Sequence, residues 1–328
     1  MKMARRTLLV LTVCAFASET HAVLIDTVTV GNPGNPPDTR YDTTGYGSVN
    51  YAYNIGTFEV TAGQYTEFLN AVAATDTYTL YNPSMWTNSR GCKIERLGEE
   101  GHYTYSVATE WANRPVNYVS WADAARFSNW LHNGQPTGAQ DLSTTEDGSY
   151  FLNGMMSGID LAVVTRKSNA TWVLPTEDEW YKAAYHQNDG VTNNYWDYPT
   201  TTDDTPSNLR LDPDPGNNAN FRTSEGYTLG DPYWRTEVGE FENSDGPYGT
   251  FDQGGNVYEF NETVVNVTRR GLRGGAFTNY DGNMSASARS YALTTYEANM
   301  NGFRVAEVPE PATVAILLIG LLGAVRRR

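Results

Sequence analysis

The stretch Leu174–Ala184, which reads LPTEDEWYKAA, contains a complete start signal for a helix. Thr176 and Glu179 have the spacing of a capping box, in which each side chain accepts a hydrogen bond from the other residue's backbone amide. The apolar residues that follow recur at helical spacing and predict one buried side. Glu177, Asp178 and Glu179 lie in the first turn, where negative charge favours the helix N-terminus, so they need no catalytic role.

Two further segments carry the same signal. Residues 61–74, TAGQYTEFLNAVAA, begin with the pair Thr61 and Gln64, and residues 120–134, SWADAARFSNWLHNG, begin with Ser120 and Asp123. Both continue with an apolar stripe at helical spacing, so each predicts an amphipathic helix.

Strand signals are shorter. Residues 49–60, VNYAYNIGTFEV, alternate apolar and polar positions and predict a strand, and the runs at 271–277 and 301–308 predict two more. Residues 187–270 are dense in Asn, Asp, Gly, Pro and Thr and predict a long irregular stretch, whose scattered aromatics argue against disorder. Bound calcium is one way to satisfy such a backbone, because its oxygen ligands at about 2.3–2.6 Å tie loops together.

The two ends have the composition of processing signals. Residues 1–22 combine a basic start, an apolar run and a small-residue cleavage site, which predicts a secretory signal peptide. Residues 23–48 predict a loop-rich N-terminal segment before the domain at residues 49–307. Residues 308–328 form a tail whose apolar run is shorter than the roughly 20 residues that a membrane span needs.

Charge and cysteine content exclude some classes of function. Between the signal peptide and the final arginines, 17 basic and 37 acidic residues give a net charge of −20, which disfavours nucleic acid and suits hard cations. Cys14 lies in the signal peptide, so Cys92 is the one cysteine of the mature chain and no internal disulfide can form. The loop around Cys92 is predicted to be exposed, with the thiol as a small neutral filler.

Five segments occur in an order that resembles the formylglycine-generating enzyme family, also called sulfatase-modifying factors. They span about residues 50–306 and are FEVTAGQYTEFLNAV, RPVNYVSWADAARFSNWL, LPTEDEWYKAA, GGNVYEF with LRGGAF, and ARS with NGFRV. The resemblance implies an α+β fold, a large variant of the C-type-lectin-like fold with little regular secondary structure and long loops.

The tail resembles a second known signal. Val308-Pro309-Glu310-Pro311, a short apolar segment and the terminal arginines together are similar to the PEP-CTERM sorting motif of bacterial envelope proteins. This resemblance implies export to the cell envelope, surface or matrix, a sorting enzyme as partner, and only transient membrane contact through the tail.

The family resemblance also implies two structural calcium sites. The first set is Asn220, the carbonyl of Phe221, Asp231 and the carbonyl of Tyr233. The second set is Asp252 and the carbonyls of Gln253, Gly255 and Val257, with Glu259 in support. Closure of these loops by hydrogen bonds and water is the alternative.

The family's oxidase binds copper through two cysteines, and here the corresponding interval, Asn279–Ala286, contains none. Its one sulfur belongs to Met284, and copper(I) requires soft sulfur ligands, so copper is not expected. The family's three-histidine iron site is not expected either, because His102, His132 and His186 are spread along the chain. His186 is predicted to end a helix, where a cation suits the dipole. No hydrolase or phosphate-loop motif occurs.

These observations favour an exported, calcium-stabilised module without catalytic residues that binds a peptide, a glycan or another protein. Its predicted binding face consists of Trp86, Asn279, Tyr280, Arg289 and Tyr291. An active formylglycine-generating oxidase acting on sulfatase-type substrates is the alternative, and a purely structural surface-matrix protein is a third.

Overall fold

The computed structural model describes residues 22–309, so the signal peptide up to His21 and the tail from Glu310 lie outside the described residues. Ten short strands form within this range: β1 Thr27–Val30, β2 Tyr53–Gly56, β3 Ile94–Leu97, β4 Thr104–Val107, β5 Trp172–Val173, β6 Tyr258–Asn266, β7 Arg269–Arg273, β8 Ser290–Leu293, β9 Asn301–Gly302 and β10 Ala306–Glu307. The helices are α1 Ala62–Val72, α2 Ser84–Thr87, α3 Thr109–Ala112, α4 Trp121–His132, α5 Gly158–Ala162 and α6 Glu177–Tyr185, with a 3-10 turn at Asp281–Met284. Long loops connect them, as in the predicted α+β fold.

The three predicted helices are confirmed, together with their capping boxes. Thr61, Ser120 and Thr176 cap α1, α4 and α6, and each box closes in both directions. The remaining helices α2, α3 and α5 have only four or five residues. They were missed because a single turn carries no readable apolar period.

The strands form three sheets with the orders β1-β2-β10-β5, β3-β4 and β8-β7-β6-β9. The predicted strand at residues 49–60 is shorter than expected and comprises only Tyr53–Gly56. The loop-rich segment 23–48 is not separate from the domain, because it contributes β1, which pairs antiparallel with β2. Residues 301–308 divide into β9 and β10, and so link two sheets.

The longest strand was not predicted. Strand β6, Tyr258–Asn266, begins inside the stretch that the composition predicted to be irregular. Its first four residues alternate apolar and polar in sequence, but all four are buried, so the strand is covered on both faces. It forms the centre of the sheet from which the candidate site extends.

The main core contains an aromatic cluster between α1 and α4. Phe68 packs edge-on against Phe127 at a ring distance of 5.3 Å, and Phe127 packs against Phe303 at 5.4 Å. A smaller core surrounds α6, where Tyr181 and Tyr185 lie 4.7 Å apart. None of the helices formed by residues 22–309 is long and apolar enough to cross a membrane.

One local prediction was wrong, and a second was right only in part. Cys92 does not lie in an exposed loop: it is fully buried, and its thiol lies 3.8 Å from the Asn117 carbonyl. His186 does cap the end of α6, but it is buried beside the Tyr248 hydroxyl at 2.7 Å. Burial lowers the pKa of His186, which opposes the cationic form expected at a helix end.

Candidate functional site: a binding face and a buried acidic pair

The segment after β7 turns back sharply at two glycines. Gly274 and Gly275 have φ values of +92° and +72°, in the left-handed region that L side chains rarely adopt. A Cβ on Gly274 would lie 2.6 Å from the carbonyl oxygen of Gln253. The glycine pair therefore allows residues 276–288 to fold against the loop that contains Gln253.

Glu177, at the start of α6, fixes both ends of this segment. Its carboxylate forms ion pairs with Arg273 at 2.9 Å and with Arg289 at 2.7 Å. Arg273 also donates to the carbonyls of Ala286 and Ala288. Arg289, predicted to contact ligand, is thus held by Glu177, and Glu177 contributes more than a helix-dipole charge.

An arginine stacks on aromatic rings beside the turned-back segment. The Arg90 guanidinium lies 4.5 Å from the centre of the Trp234 ring and 6.0 Å from the rings of Tyr227 and Phe277. Trp234 itself packs against Tyr227 at 5.1 Å. Stacking of this kind presents a planar cation at an aromatic surface.

A second arginine extends the same surface. Arg222 lies over the rings of Tyr227 at 5.4 Å and Tyr280 at 5.5 Å, and its amide donates to the Asn279 carbonyl at 2.8 Å. Within residues 22–309 neither Arg90 nor Arg222 forms an ion pair. We call this surface the arginine–aromatic face; it consists of Arg90, Arg222, Tyr227, Trp234 and Tyr280, and the fully buried Phe277 lies beneath it.

Three polar atoms next to the arginine–aromatic face have no hydrogen-bond partner. They are the indole Nε1 of Trp234, the hydroxyl of Thr278 and the side-chain oxygen of Asn279, and all three are buried. A buried polar group without a partner costs about 1–3 kcal/mol. Such groups therefore mark a place where a ligand or ordered water completes the structure.

The structure brings only part of the predicted binding face together. Tyr280 belongs to the arginine–aromatic face, and Asn279 borders that face. Trp86 lies on α2 and Tyr291 on β8, with exposed fractions of 42% and 49%. In the described part of the chain, no ring contact or hydrogen bond joins either of them to the arginine–aromatic face. Sequence reasoning missed Arg90 and Arg222, because they come from loops remote in sequence.

The first predicted calcium set offers one open buried donor. The side-chain oxygen of Asn220 is buried and has no partner. The Phe221 carbonyl already accepts from the amide and hydroxyl of Thr228, and the Tyr233 carbonyl accepts from the Arg235 amide at 2.7 Å. Asp231 is exposed. Asn220 is thus the one side chain of this set that offers a buried oxygen without a partner, and the first calcium site stays a prediction.

In the second predicted set, Glu259 is already neutralised. Its carboxylate accepts from Arg304 at 2.6 and 2.7 Å and from the Trp180 indole at 2.6 Å, and the Glu259 and Arg304 side chains are completely buried. Both oxygens of Glu259 thus accept hydrogen bonds, and its supporting role at calcium stays a prediction. Asp252 has no such partner. It accepts the Gly239 amide at 2.7 Å, and burial raises its pKa to about 6.

Glu59, which the sequence did not single out, is the second unpaired carboxylate of this region. It is 2% exposed, and both of its carboxylate oxygens are buried without a hydrogen-bond partner. Burial raises its pKa strongly, and the negative charges of Asp252 and Glu259 add to the effect, while Arg304 opposes it. A cavity of about 310 Å³, lined in part by Gln64 and Asn113, opens beside Glu59.

Hard oxygen donors and a surplus of buried negative charge fit calcium at this second position. Glu59 and Asp252 would supply the carboxylates, and the predicted carbonyls of Gln253, Gly255 and Val257 the neutral oxygens. In residues 22–309 no three Asp, Glu, His or Cys side chains converge as a metal-ligand group.

A separate acidic pocket of about 650 Å³ lies between the loop before α2, strand β3 and the loop after β8, with Asp76, Arg96 and Glu297 in its wall. Burial, followed by the charge of Asp123, raises the pKa of Glu297 to about 8. Arg96 stacks on the Tyr103 ring at 4.3 Å and forms an ion pair with Asp76 at 3.2 Å. The negative charge of this pocket is therefore only partly compensated.

The interval that carries the family's copper thiolates is filled differently here. Met284, its one sulfur, is fully buried and packs in a small cluster with Tyr198 and Phe221. Cys92 is far from this interval in the sequence, in the loop before β3. Burial raises the pKa of its thiol. The described chain thus offers no pair of thiolates at this site.

Comparison with known structures shows the fold. CarF has 18% identity and a TM-score of 0.52, with coverage of 87% of this chain and 99% of that chain. Variable protein 1 of Treponema denticola has 19% identity and a TM-score of 0.53, with coverage of 89% and 98%. No curated protein matches the chain significantly.

Two family models match the sequence. The PEP-CTERM protein-sorting motif matches residues 307–328 and indicates export to the cell envelope. The sulfatase-modifying factor enzyme 1-like domain matches residues 33–308, nearly the whole of the chain between its two ends. With the α+β fold described above, this match shows that the chain belongs to the sulfatase-modifying factor family.

Proposed function

We propose that this chain is an exported, calcium-stabilised binding module that keeps the scaffold of its family without the copper oxidase chemistry. The observation that carries the proposal is the stacking of Arg90 and Arg222 on the rings of the arginine–aromatic face, with no ion pair to either arginine in residues 22–309. A peptide, a glycan or a loop of another protein would supply acceptor oxygens for these two guanidinium groups.

The charge of the face supports a ligand with acceptor groups. Arg90 and Arg222 are unpaired in the described chain although the mature body carries a net charge of −20. In such a protein, most guanidinium groups would be expected to find a carboxylate. The guanidinium groups of Arg90 and Arg222 instead lie on aromatic rings. Their N–H donors are therefore available to carboxylate, carbonyl or hydroxyl oxygens of a ligand.

The residues present do not support the family's oxidase reaction. Copper(I) binding requires soft sulfur donors, and the interval Asn279–Ala286 offers only the buried thioether of Met284. Cys92, a single buried thiol, cannot replace two exposed thiolates. The active-oxidase alternative therefore needs a copper site that these residues do not form.

The C-terminal motif adds a second partner. An exosortase-type sorting system would act on the tail at residues 307–328, with contact to the membrane limited to that step. Deleting the tail should leave the domain folded and abolish its surface location, which fractionation of the producing cells would measure. Unchanged surface location without the tail would contradict this partner.

The binding face is tested by a matched pair of tyrosine variants. Peptide and glycan arrays first identify the best-bound probe, and its affinity is then titrated for Tyr280→Ala and Tyr291→Ala. The two tyrosines have almost equal exposed fractions, 50% and 49%, but only Tyr280 lies under Arg222. We expect at least tenfold weaker binding for Tyr280→Ala and less than twofold change for Tyr291→Ala. Equal affinities for both variants would contradict the proposed face.

A further inference from the structure

The described chain ends close to an exposed apolar surface. The Val308 amide donates to the Thr171 carbonyl at 2.8 Å, so the chain leaves the domain next to Thr171. Four positions separate Thr171 from Lys167, and they span at most about 14 Å. A cavity of about 320 Å³, lined in part by Phe151, Val163 and Lys167, therefore opens near the point where the chain leaves.

Six apolar side chains around this cavity are exposed to solvent. Four come from residues 151–163, which include α5, and two come from the end of β6 and the turn after it. The two groups lie together, because Arg270, opposite Val264 in the sheet, donates to the Leu161 carbonyl of α5 at 2.9 Å. We call this surface the α5 patch; it consists of Phe151, Met156, Ile159, Val163, Val264 and Val267. A contiguous exposed apolar patch marks a surface that meets a partner or a membrane.

The charged groups around the α5 patch give little attraction to an anionic ligand. Lys167 forms an ion pair with Asp147, and Arg166 forms one with Glu179 at 2.9 Å. Asp160 on α5 is exposed, and the mature body carries a net charge of −20, which repels anionic surfaces. What covers the α5 patch must therefore bind it through apolar contact.

The sequence beyond the described residues indicates what that partner is. An apolar run at residues 312–325 begins three positions after Pro309, which is at most about 10 Å of chain. This run is shorter than the roughly 20 residues that a membrane span needs. A single short apolar anchor gives only reversible membrane binding, and stable attachment takes a second contact. The α5 patch lies close enough to the tail to be that second contact.

We propose that the α5 patch rests on the surface of a zwitterionic lipid bilayer while the tail is inserted. Exposed Phe, Met, Ile and Val side chains enter the boundary between headgroups and acyl chains. The Lys167 ammonium lies 5.8 Å from the centre of the Phe151 ring, so it stays at headgroup level when the ring is inserted. After removal of the tail, the patch alone binds only reversibly, which allows the domain to leave the membrane.

The inference rests on the sorting tail of the proposed function and is independent of the arginine–aromatic face. Vesicle binding without lipid contact at the α5 patch would refute this inference alone. Absence of vesicle binding would refute both this inference and the membrane step of sorting. The Tyr280 experiment tests neither of them, so the failures are distinguishable.

The test uses the mature chain with its tail, residues 23–328, and phosphatidylcholine vesicles. Ile159→Cys and Leu209→Cys each carry an environment-sensitive fluorophore, and brominated lipid serves as the quencher. Leu209 is the matched control, because it is 58% exposed against 64% for Ile159 and lies outside the α5 patch. The unmodified protein, in which Cys92 is buried, gives the background of labelling. Circular dichroism verifies that each variant is folded.

We expect vesicles to raise the fluorescence of the label at position 159 at least threefold, and brominated lipid to quench it. The label at position 209 should change less than 1.5-fold. Ile159→Glu should weaken vesicle binding of the mature chain at least fivefold, and Leu209→Glu less than twofold. Anionic phosphatidylglycerol vesicles should bind the chain more weakly than phosphatidylcholine vesicles, because apolar contact carries the binding.

Three results would overturn the inference. Equal responses of the two labels would show that the tail alone holds the protein at the membrane. Unchanged vesicle affinity of Ile159→Glu would show that the α5 patch adds nothing to binding. A fluorescence gain at position 159 that needs no vesicles and grows with protein concentration would show that a second copy of the chain covers the patch.

Discussion

Replacing Glu177 with glutamine removes the charge that holds the turned-back segment at both ends, with almost no change in shape. The Arg273 side chain in this network is 1% exposed, and breaking a buried pair by removing one partner costs about 3–5 kcal/mol. The Arg289 side chain is 35% exposed, so its pair with Glu177 contributes about 1 kcal/mol or less. The buried contact therefore dominates the expected loss.

These energies translate into separate shifts of the unfolding temperature. An unfolding entropy of about 2.1 cal/mol/K per residue gives roughly 0.6 kcal/mol/K for a domain of this size. Glu177→Gln should therefore lower the midpoint by about 5–8 °C, and Arg289→Gln by about 2 °C or less. Differential scanning calorimetry of both variants measures the two shifts side by side. Equal shifts, or a change below 1 °C for Glu177→Gln, would refute the assigned division of energy.

Three further predictions concern other buried groups. Arg304→Met should destabilise the fold by about 3–5 kcal/mol because it leaves Glu259 buried and unpaired, and adding Glu259→Gln should restore much of the loss in urea unfolding. The pKa of Glu297 is raised from 4.5 to about 8. Its contribution to the free energy of unfolding is therefore complete below pH 4.5 and is lost as the pH rises through about 8, so the unfolding temperature should decline over this range. Glu297→Gln should flatten that decline. Cys92 should react with a thiol reagent only after denaturation, because it is completely buried and its pKa is raised.

Each of these has a clear contrary result. An additive loss in the Arg304 and Glu259 double variant would show that the two side chains do not act as a pair. An unchanged pH profile for Glu297→Gln would place the titration elsewhere. Rapid labelling of Cys92 in the folded protein would mean that its loop opens readily.

Local signals in the sequence predicted the helices well, because the information lies within a few residues. The capping pairs at Thr61, Ser120 and Thr176 mark where each long helix begins, and the apolar stripes that follow show which side is buried. Strand β6 was missed for the opposite reason. Its identity depends on neighbours on both faces, which come from distant segments.

The candidate site was predicted only in part, for a related reason. Asn279 and Tyr280 could be placed because the RGG turn and the family resemblance locate that interval. Arg90, however, reaches the face through a loop almost 190 residues earlier, and no local pattern records this. Glu59 likewise appeared as one polar position of an alternating strand, and only the packed structure shows that its carboxylate is buried without a partner.

The central claim is that the family scaffold remains while its copper chemistry does not. Its most direct test is to load the purified protein with copper(I), determine bound metal by mass spectrometry, and incubate it with a cysteine-containing sulfatase peptide. The account predicts bound calcium, no stoichiometric copper and no aldehyde in the peptide. One copper per chain with conversion of the cysteine to formylglycine would contradict it.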